Sequence, residues 1–360
     1  MRIKKVFFIN VLLIFVLILS LYSTIVKANQ TDSQKQDYSQ ISQNTDNDSA
    51  GNNINIYAKS CILIERSTGR VAYEKNADEK MYPASTTKLL TAIIALEHCD
   101  LTDIVTITPD MISQIPPGYV SAYLSIGEKV TIDELLNILL IPSANDAGFA
   151  LAIHISGSID EFAKLMNEKA KQIGCENTNF TNPSGIHNTN HFSTARDIAK
   201  IGVCASNYPH IMDIVCKTNY TLHENQFNAR SFITTNTLII KSEKNYYEFA
   251  NGMKTGFTDQ AGSCIVATAQ KENMQFLAVI LGAPEPDGDI TYRDVDCKTL
   301  FEYGFTNYDE ITKTDTHISQ FFNLIISEKS PIVIIFYSSL ISLTIVLILI
   351  LLGFTRKKKR

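Results

Sequence analysis

Strand-like sequence stands near both ends of the foldable part of this chain, with helical sequence between, and that order restricts the fold more than any other feature. The segment YAKSCILIERSTGRVAYEKN reads as two alternating strands around the turn Ser67-Thr68-Gly69-Arg70, a hairpin. Far along the chain GMKTGF, GSCIVATAQ and MQFLAVILGA are again strand-like, the last two joined by a tight turn at Lys271-Glu272-Asn273. Helical signals fill the middle. They run from Ser85 to about Cys99, from Thr131 to Leu140 behind the capping box Thr131-x-x-Glu134, and from Ser158 to Ile173 with Gly174 just past the end. Another helix starts near Thr194, and a last one covers about Thr291 to Tyr303. The expectation is an α+β fold: one antiparallel sheet flanked by helices, with a helical subdomain inserted between its strands.

The ends of the chain are of a different kind. Residues 1–28, MRIKKVFFINVLLIFVLILSLYSTIVKA, place basic residues ahead of an apolar run and Val26-Lys27-Ala28 behind it, the layout of a secretory signal peptide. The apolar run is long for a signal, so an uncleaved anchor is the alternative, and export follows from either. Residues 29–53 are almost wholly polar and read as a disordered leader. The folded domain is then 54–309, with no internal repeat, followed by a spacer over 310–330 in which FFNLII could lie on a membrane surface. Residues 331–354 carry no charge, and about 20 apolar residues cross a bilayer. The basic tail 355–360 predicts a cytoplasmic C-terminus. The expected location is the cell membrane, single-pass, with the domain on the extracytoplasmic face.

Hydrophobic residues make up 45% of the 360, ample for a core, and the net charge of −5 with no basic face excludes nucleic acid as an expected partner. The seven cysteines, Cys61, Cys99, Cys175, Cys204, Cys216, Cys264 and Cys297, are scattered without short metal-like spacing. That pattern supports neither zinc nor a disulfide framework, and most read as small buried hydrophobes.

Within YPASTTKLLTA, Ser85 and Lys88 stand three apart at a helix start, on one face and within reach of each other. The N–H of Ser85 is free there, at the positive end of the helix dipole, where it can hold an oxyanion. Lys88 can serve as a base only when neutral, and burial beside Leu89 and Leu90 with a second cation nearby would both favour that. Ser-x-x-Lys by itself is equally an N-cap followed by a surface lysine. Two further motifs shift the balance: LLIPSANDAG places Ser143-Ala144-Asn145 just after a helix, and NGMKTGFTDQAG places Lys254-Thr255-Gly256 on a strand.

With these motifs and the flanking stretches STGRVAYEKNAD, FTNPSGI, HFSTARDIA and Asn236-Thr237-Leu238, the chain resembles the low-molecular-mass penicillin-binding proteins of the serine D-Ala-D-Ala carboxypeptidase family over about Asn55 to Asp309. The resemblance implies a penicillin-binding-protein/β-lactamase-like fold. It makes Ser85 the nucleophile on the carbonyl between the last two D-alanines of a peptidoglycan stem peptide, with Lys88 taking its proton. Ser143 would pass a proton to the leaving amine and Asn145 would hold the substrate amide. Lys254 and Thr255 would receive the terminal carboxylate, Gly256 would leave room for the substrate backbone, and the N–H of Phe257 would complete the oxyanion hole. Arg293 either orients the carboxylate pocket, by resemblance, or is a helix-surface charge. β-Lactams would acylate Ser85 as covalent inhibitors. No cofactor and no metal is implied.

Other readings of the same residues are a D,D-endopeptidase or a β-lactamase on this fold, or a catalytically silent cell-wall-binding module. Ala144 speaks against the lactamase, since class A lactamases have Asp there. All motif residues being present speaks against the silent module. His187 and His191, four apart in a Gly/Asn-rich loop with no Glu beside them, read as polar loop residues near the cleft rather than a metal pair. Many members of the family add a β-rich C-terminal domain, whereas here only a short spacer is expected between the domain and the spanning segment.

Overall fold

The computed structural model describes residues 54–222, 229–288 and 290–312. The expected signal, leader, spanning segment and basic tail, and the spacer beyond residue 312, lie outside the described residues. Two units divide the chain, Met1–Thr306 and Asn307–Arg360. Of the second, the described residues form the short helix Tyr308–Thr312, where the sequence suggested that a spacer begins.

The first unit carries strands β1 (Ser60–Glu65), β2 (Val71–Lys75), β3 (Ile104–Thr106), β4 (Lys129–Thr131), β5 (Asn219–Leu222), β6 (Arg230–Ile233), β7 (Ala250–Thr258), β8 (Gly262–Lys271) and β9 (Met274–Ala283). Its main helices are α1 (Lys88–His98), α2 (Ile132–Leu140), α3 (Asn145–Ser156), α4 (Ile159–Gln172), α5 (Ala195–Ser206), α6 (Pro209–Val215) and α7 (Tyr292–Thr306). The five-stranded sheet has the order β2-β1-β9-β8-β7 with every neighbour antiparallel. β9 returns to β1 with Cys61 opposite Ile280 and Ile64 opposite Leu277, so strands from the two ends of the domain close one sheet around the helical insertion.

Local chemistry accounts for the element ends. Thr131 accepts from the Glu134 N–H while Glu134 returns the bond, a complete capping box for α2. Ser158 and Thr194 cap α4 and α5 in the same way, each accepting from the N–H three residues on. At the β1–β2 turn the Glu65 carboxylate accepts from Ser67 Oγ, Thr68 Oγ1 and the Thr68 N–H, the last at 2.8 Å.

β1 does not alternate as its sequence suggested: all six residues are buried. The reason is that helices cover both faces of the sheet. A Cβ on Gly202 of α5 would touch Leu277, and one on Gly304 of α7 would touch Phe276. Adjacent residues of a strand point to opposite faces, so the two helices lie on opposite sides of β9. Four elements were not legible in the sequence, the seven-residue helix α6 among them. Helix α3 is buried along Asn145–Ala152, so it has no polar stripe to betray a 3.6-residue period. The hairpins β3–β4 and β5–β6 are built from strands of three and four residues.

Candidate active site

Ser85 lies in a 3-10 turn, Ala84–Thr87, that runs straight into α1, so Lys88 opens the helix one turn after the serine. Lys88 Nζ is 2.8 Å from Ser85 Oγ. The lysine side chain is wholly buried, and its other partners are carbonyl oxygens: Asn145 Oδ1 at 2.9 Å and Ser184 O at 3.0 Å. Both carbonyls can only accept. A neutral amine has two N–H donors and one lone pair, so the carbonyls take the donors and the lone pair is left for the Ser85 hydroxyl.

The electrostatics favour that neutral amine. Burial is the first cause holding Lys88 well below the ordinary lysine value, the Lys254 charge is the second, and Asp146 opposes both. Lys254 is itself lowered to about 7, by burial and then by Arg293.

Asn145 is oriented by its own amide, whose Nδ2 donates to Val120 O at 2.8 Å, which turns Oδ1 toward Lys88. Next to it Asp146 accepts from Ser121 Oγ at 2.6 Å and from the Ala122 and Leu124 N–H groups, tying the 120–124 loop to the start of α3. Ser143 is held at φ 69°, a left-handed conformation uncommon for a residue with a Cβ. It lines the same cleft as Ser85, and among the described residues its hydroxyl has no hydrogen-bond partner.

The Ser184 carbonyl is placed by a loop whose roles the sequence did not disclose. Asn182 Oδ1 accepts from the N–H groups of Ser184, Gly185 and Ile186 at 3.1, 2.8 and 3.1 Å. Gly185, at φ 77°, passes so close to the nucleophile turn that a Cβ would lie 1.8 Å from Ala84 O. His191 is a buried bolt of this loop, not a polar residue at its surface. Its Nδ1 accepts the Thr181 N–H at 3.1 Å, so the proton belongs on Nε2, which faces Thr87 Oγ1 at 3.0 Å. Burial lowers it to about 3. His187 packs edge-on against Tyr82 instead. Among the described residues no group of three or more His, Cys, Asp or Glu side chains is placed to hold a metal.

The far wall is β7, whose free edge lines a cleft of about 600 Å³ together with Ser85, Ser143 and Asn145. Gly256 brings this strand against the nucleophile turn: a Cβ there would lie 2.8 Å from the Ser85 nitrogen. Phe257 follows, half exposed at the cleft. Thr255 lines the cleft, and Lys254 is buried beside it, its Nζ donating to Thr255 O at 3.0 Å and its charge acting on Lys88. The cation at the cleft surface is Arg293, whose Nη2 reaches Thr235 O at 3.5 Å and whose Nε reaches Asp294 Oδ1 at 3.3 Å. Thr235, a residue the motif reading passed over although it adjoins Asn236-Thr237-Leu238, shares a short hydrogen bond between its Oγ1 and Thr255 Oγ1.

A family model described as D-alanyl-D-alanine carboxypeptidase matches residues 44–285. Among curated relatives, DacF of Bacillus subtilis is 36% identical over 257 residues, covering 70% of this chain and 63% of that protein. DacC of Escherichia coli is 34% identical over 266 residues, covering 71% and 63%. The chain thus spans less than two thirds of the length of these relatives. Of solved structures, the Streptomyces K15 DD-transpeptidase matches with a TM-score of 0.65 at 28% identity, covering 71% of this chain and 99% of that one. A D-alanyl-D-alanine carboxypeptidase from Mycobacterium tuberculosis matches at 0.65 and 27%, covering 71% and 95%. The family match takes in Ser85, Lys88, Ser143, Asn145 and the β7 edge but stops before Arg293. On that span, and with the three motifs converging on one cleft, this chain belongs to the D-alanyl-D-alanine carboxypeptidase family.

Proposed function

We propose that the protein is a serine D-Ala-D-Ala carboxypeptidase that removes the terminal D-alanine from peptidoglycan stem peptides and is acylated by β-lactams. The observation that carries this reading is the Lys88 amine, buried, with both of its neutral-form donors taken by carbonyls and its remaining direction aimed at Ser85 Oγ. Ser85 Oγ attacks the carbonyl between the two D-alanines as its proton passes to Lys88 Nζ. The oxyanion is received by the N–H groups of Ser85 and Phe257. Ser143 lies in the same cleft with a hydroxyl free to relay a proton to the departing amine, D-alanine leaves, and water then hydrolyses the ester. The substrate carboxylate docks at Arg293 and Thr255, with the buried Lys254 adding its field. Uncharged residues 331–354 and the basic tail support a single-pass membrane anchor with the domain outside. Among the described residues no helix is long and apolar enough to cross a membrane.

The test is D-alanine release from a diacyl-Lys-D-Ala-D-Ala peptide by the purified full chain in detergent, alongside Ser85→Ala. Release that is lost in the variant and blocked by penicillin supports the reading. A folded protein that labels with penicillin at Ser85 but releases no D-alanine overturns it in favour of a D,D-endopeptidase, the kind of enzyme for which an Escherichia coli relative 29% identical over 231 residues is named.

A further inference from the structure

We infer that Asp259 forms a subsite for the third residue of the stem peptide and selects a residue whose side chain carries a free amino group, an inference that rests on the carboxypeptidase reading. Two side chains of opposite charge line the cleft, Arg293 and Asp259. Arg293 is engaged with Thr235 and Asp294. Asp259 is exposed, and among the described residues it has no hydrogen bond or ion pair. Its position is nevertheless fixed, because the turn that carries it is closed by the Ala261 N–H donating to Thr258 O at 3.0 Å and to Thr258 Oγ1 at 3.1 Å.

The geometry of β7 assigns Asp259 to one part of the ligand. β7 pairs with β8 on one side and presents its other edge to the cleft, so an extended peptide adds along it as a further strand. Thr255 stands with Arg293 at the carboxylate end, and Phe257 stands at the oxyanion. Two residues further in the same sense is Asp259. A substrate running antiparallel to β7, with its carboxylate at Thr255 and its scissile carbonyl near Phe257, points the residue before the D-alanines along the edge toward Asp259. Distances agree. Thr255 to Asp259 spans about 13 Å at ~3.3 Å per residue, the third residue of the ligand lies about 7 Å from its terminal one, and an extended four-carbon amine covers the remaining ~6 Å. Cleft and ligand then match as dipoles: guanidinium to carboxylate at one end, carboxylate to ammonium at the other.

The test compares two peptides that differ by one charge, Nα-acetyl-Lys-D-Ala-D-Ala with a free ε-amine and its Nα,Nε-diacetyl form, with the full chain in detergent. The expected result is a kcat/KM ratio of about 2–5 in favour of the free amine, the size of an exposed ion pair, shrinking as salt is raised. Asp259→Asn should bring the ratio to about 1 and Asp259→Lys should invert it, outcomes that a merely structural residue would not produce. A ratio of 1 in the native protein, or one that Asp259→Asn leaves unchanged, overturns the inference. Two penicillins carrying an Nα-acetyl-lysyl side chain, one with its ε-amine free and one with it acetylated, differ by the same charge at the same reach, and their relative rates of Ser85 acylation need no peptide hydrolysis. Should neither peptide release D-alanine, the carboxypeptidase reading fails, and the antibiotic ratio decides the subsite by the same criteria.

Discussion

Gly256→Ala puts the closest contact of the site under direct test. The added Cβ would lie 2.8 Å from the Ser85 nitrogen, 3.0 Å from Ala84 Cβ and 3.3 Å from Pro83 O. Two of those three atoms are backbone, so the clash cannot be relieved by a side chain turning away. β7 must retreat from the nucleophile turn by about 0.6 Å to reach ordinary contact near 3.4 Å. An oxyanion donor at about 2.9 Å displaced that far is close to 3.5 Å, beyond a useful hydrogen bond. Losing one such donor costs about 10²–10³ in rate. The overpacking itself should cost about 1–3 kcal/mol of stability. The assay is the rate of acylation by a fluorescent penicillin, read beside a thermal melt and with Ser85→Ala as the blank. A folded Gly256→Ala protein that acylates within about threefold of the native rate would refute the claim that the β7 edge and the Ser85 N–H act as one oxyanion site.

Thr235→Val should lower kcat/KM for carboxylate-bearing ligands about fivefold, the worth of one hydrogen bond of about 1 kcal/mol, with Thr235→Ser restoring it; equal loss in both variants would argue against the Thr235–Thr255 contact. Arg293→Gln removes the cation that helps hold Lys254 at about 7, so the Lys254 value should rise. If protonated Lys254 assists carboxylate capture, activity in the native protein falls as pH rises through about 7, and in the variant that limb moves to higher pH even as the maximal rate drops. His191 binds its proton near 3 when folded and near 6.5 when unfolded, so below 6.5 the unfolded chain holds more protons and stability should decline as pH falls toward 3. Thermal melts at pH 7 and 5 should show that decline in the native protein and a smaller one in His191→Gln, which is itself less stable at pH 7 by about 1–3 kcal/mol for the bonds lost.

How much of this was visible in the sequence depended on what kind of group did the work. Side chains whose chemistry demands one residue type were legible: Ser85 and Lys88 by their spacing taken with the two further motifs, and the caps Thr131, Ser158 and Thr194 by their place before apolar periods, while Gly256 read as room for substrate and is also the point of closest approach to the nucleophile turn. The carbonyl of Ser184 was not, because any residue supplies a backbone oxygen and only the Asn182 loop aims it. Helix α3 escaped for want of a polar face. Lys254 read as a cation near the substrate carboxylate, and the extent of its burial, which strand alternation does not encode, appears only in the fold. His191 looked like loop decoration because the two partners of its ring, Thr181 and Thr87, come from separate parts of the chain.

The burial of Lys88 has a consequence for when this protein can react at all. The amine is held toward its neutral form because three segments, the turn before α1, the start of α3 and the Asn182–Ile186 loop, close over it and keep water out. Any opening that hydrates the pocket protonates the lysine, and a protonated lysine has no lone pair for Ser85. The nucleophile is therefore armed by folding and disarmed by loosening: a chain not yet folded, or one that breathes open, carries the whole catalytic sequence and yet stays inert toward every acyl donor it meets.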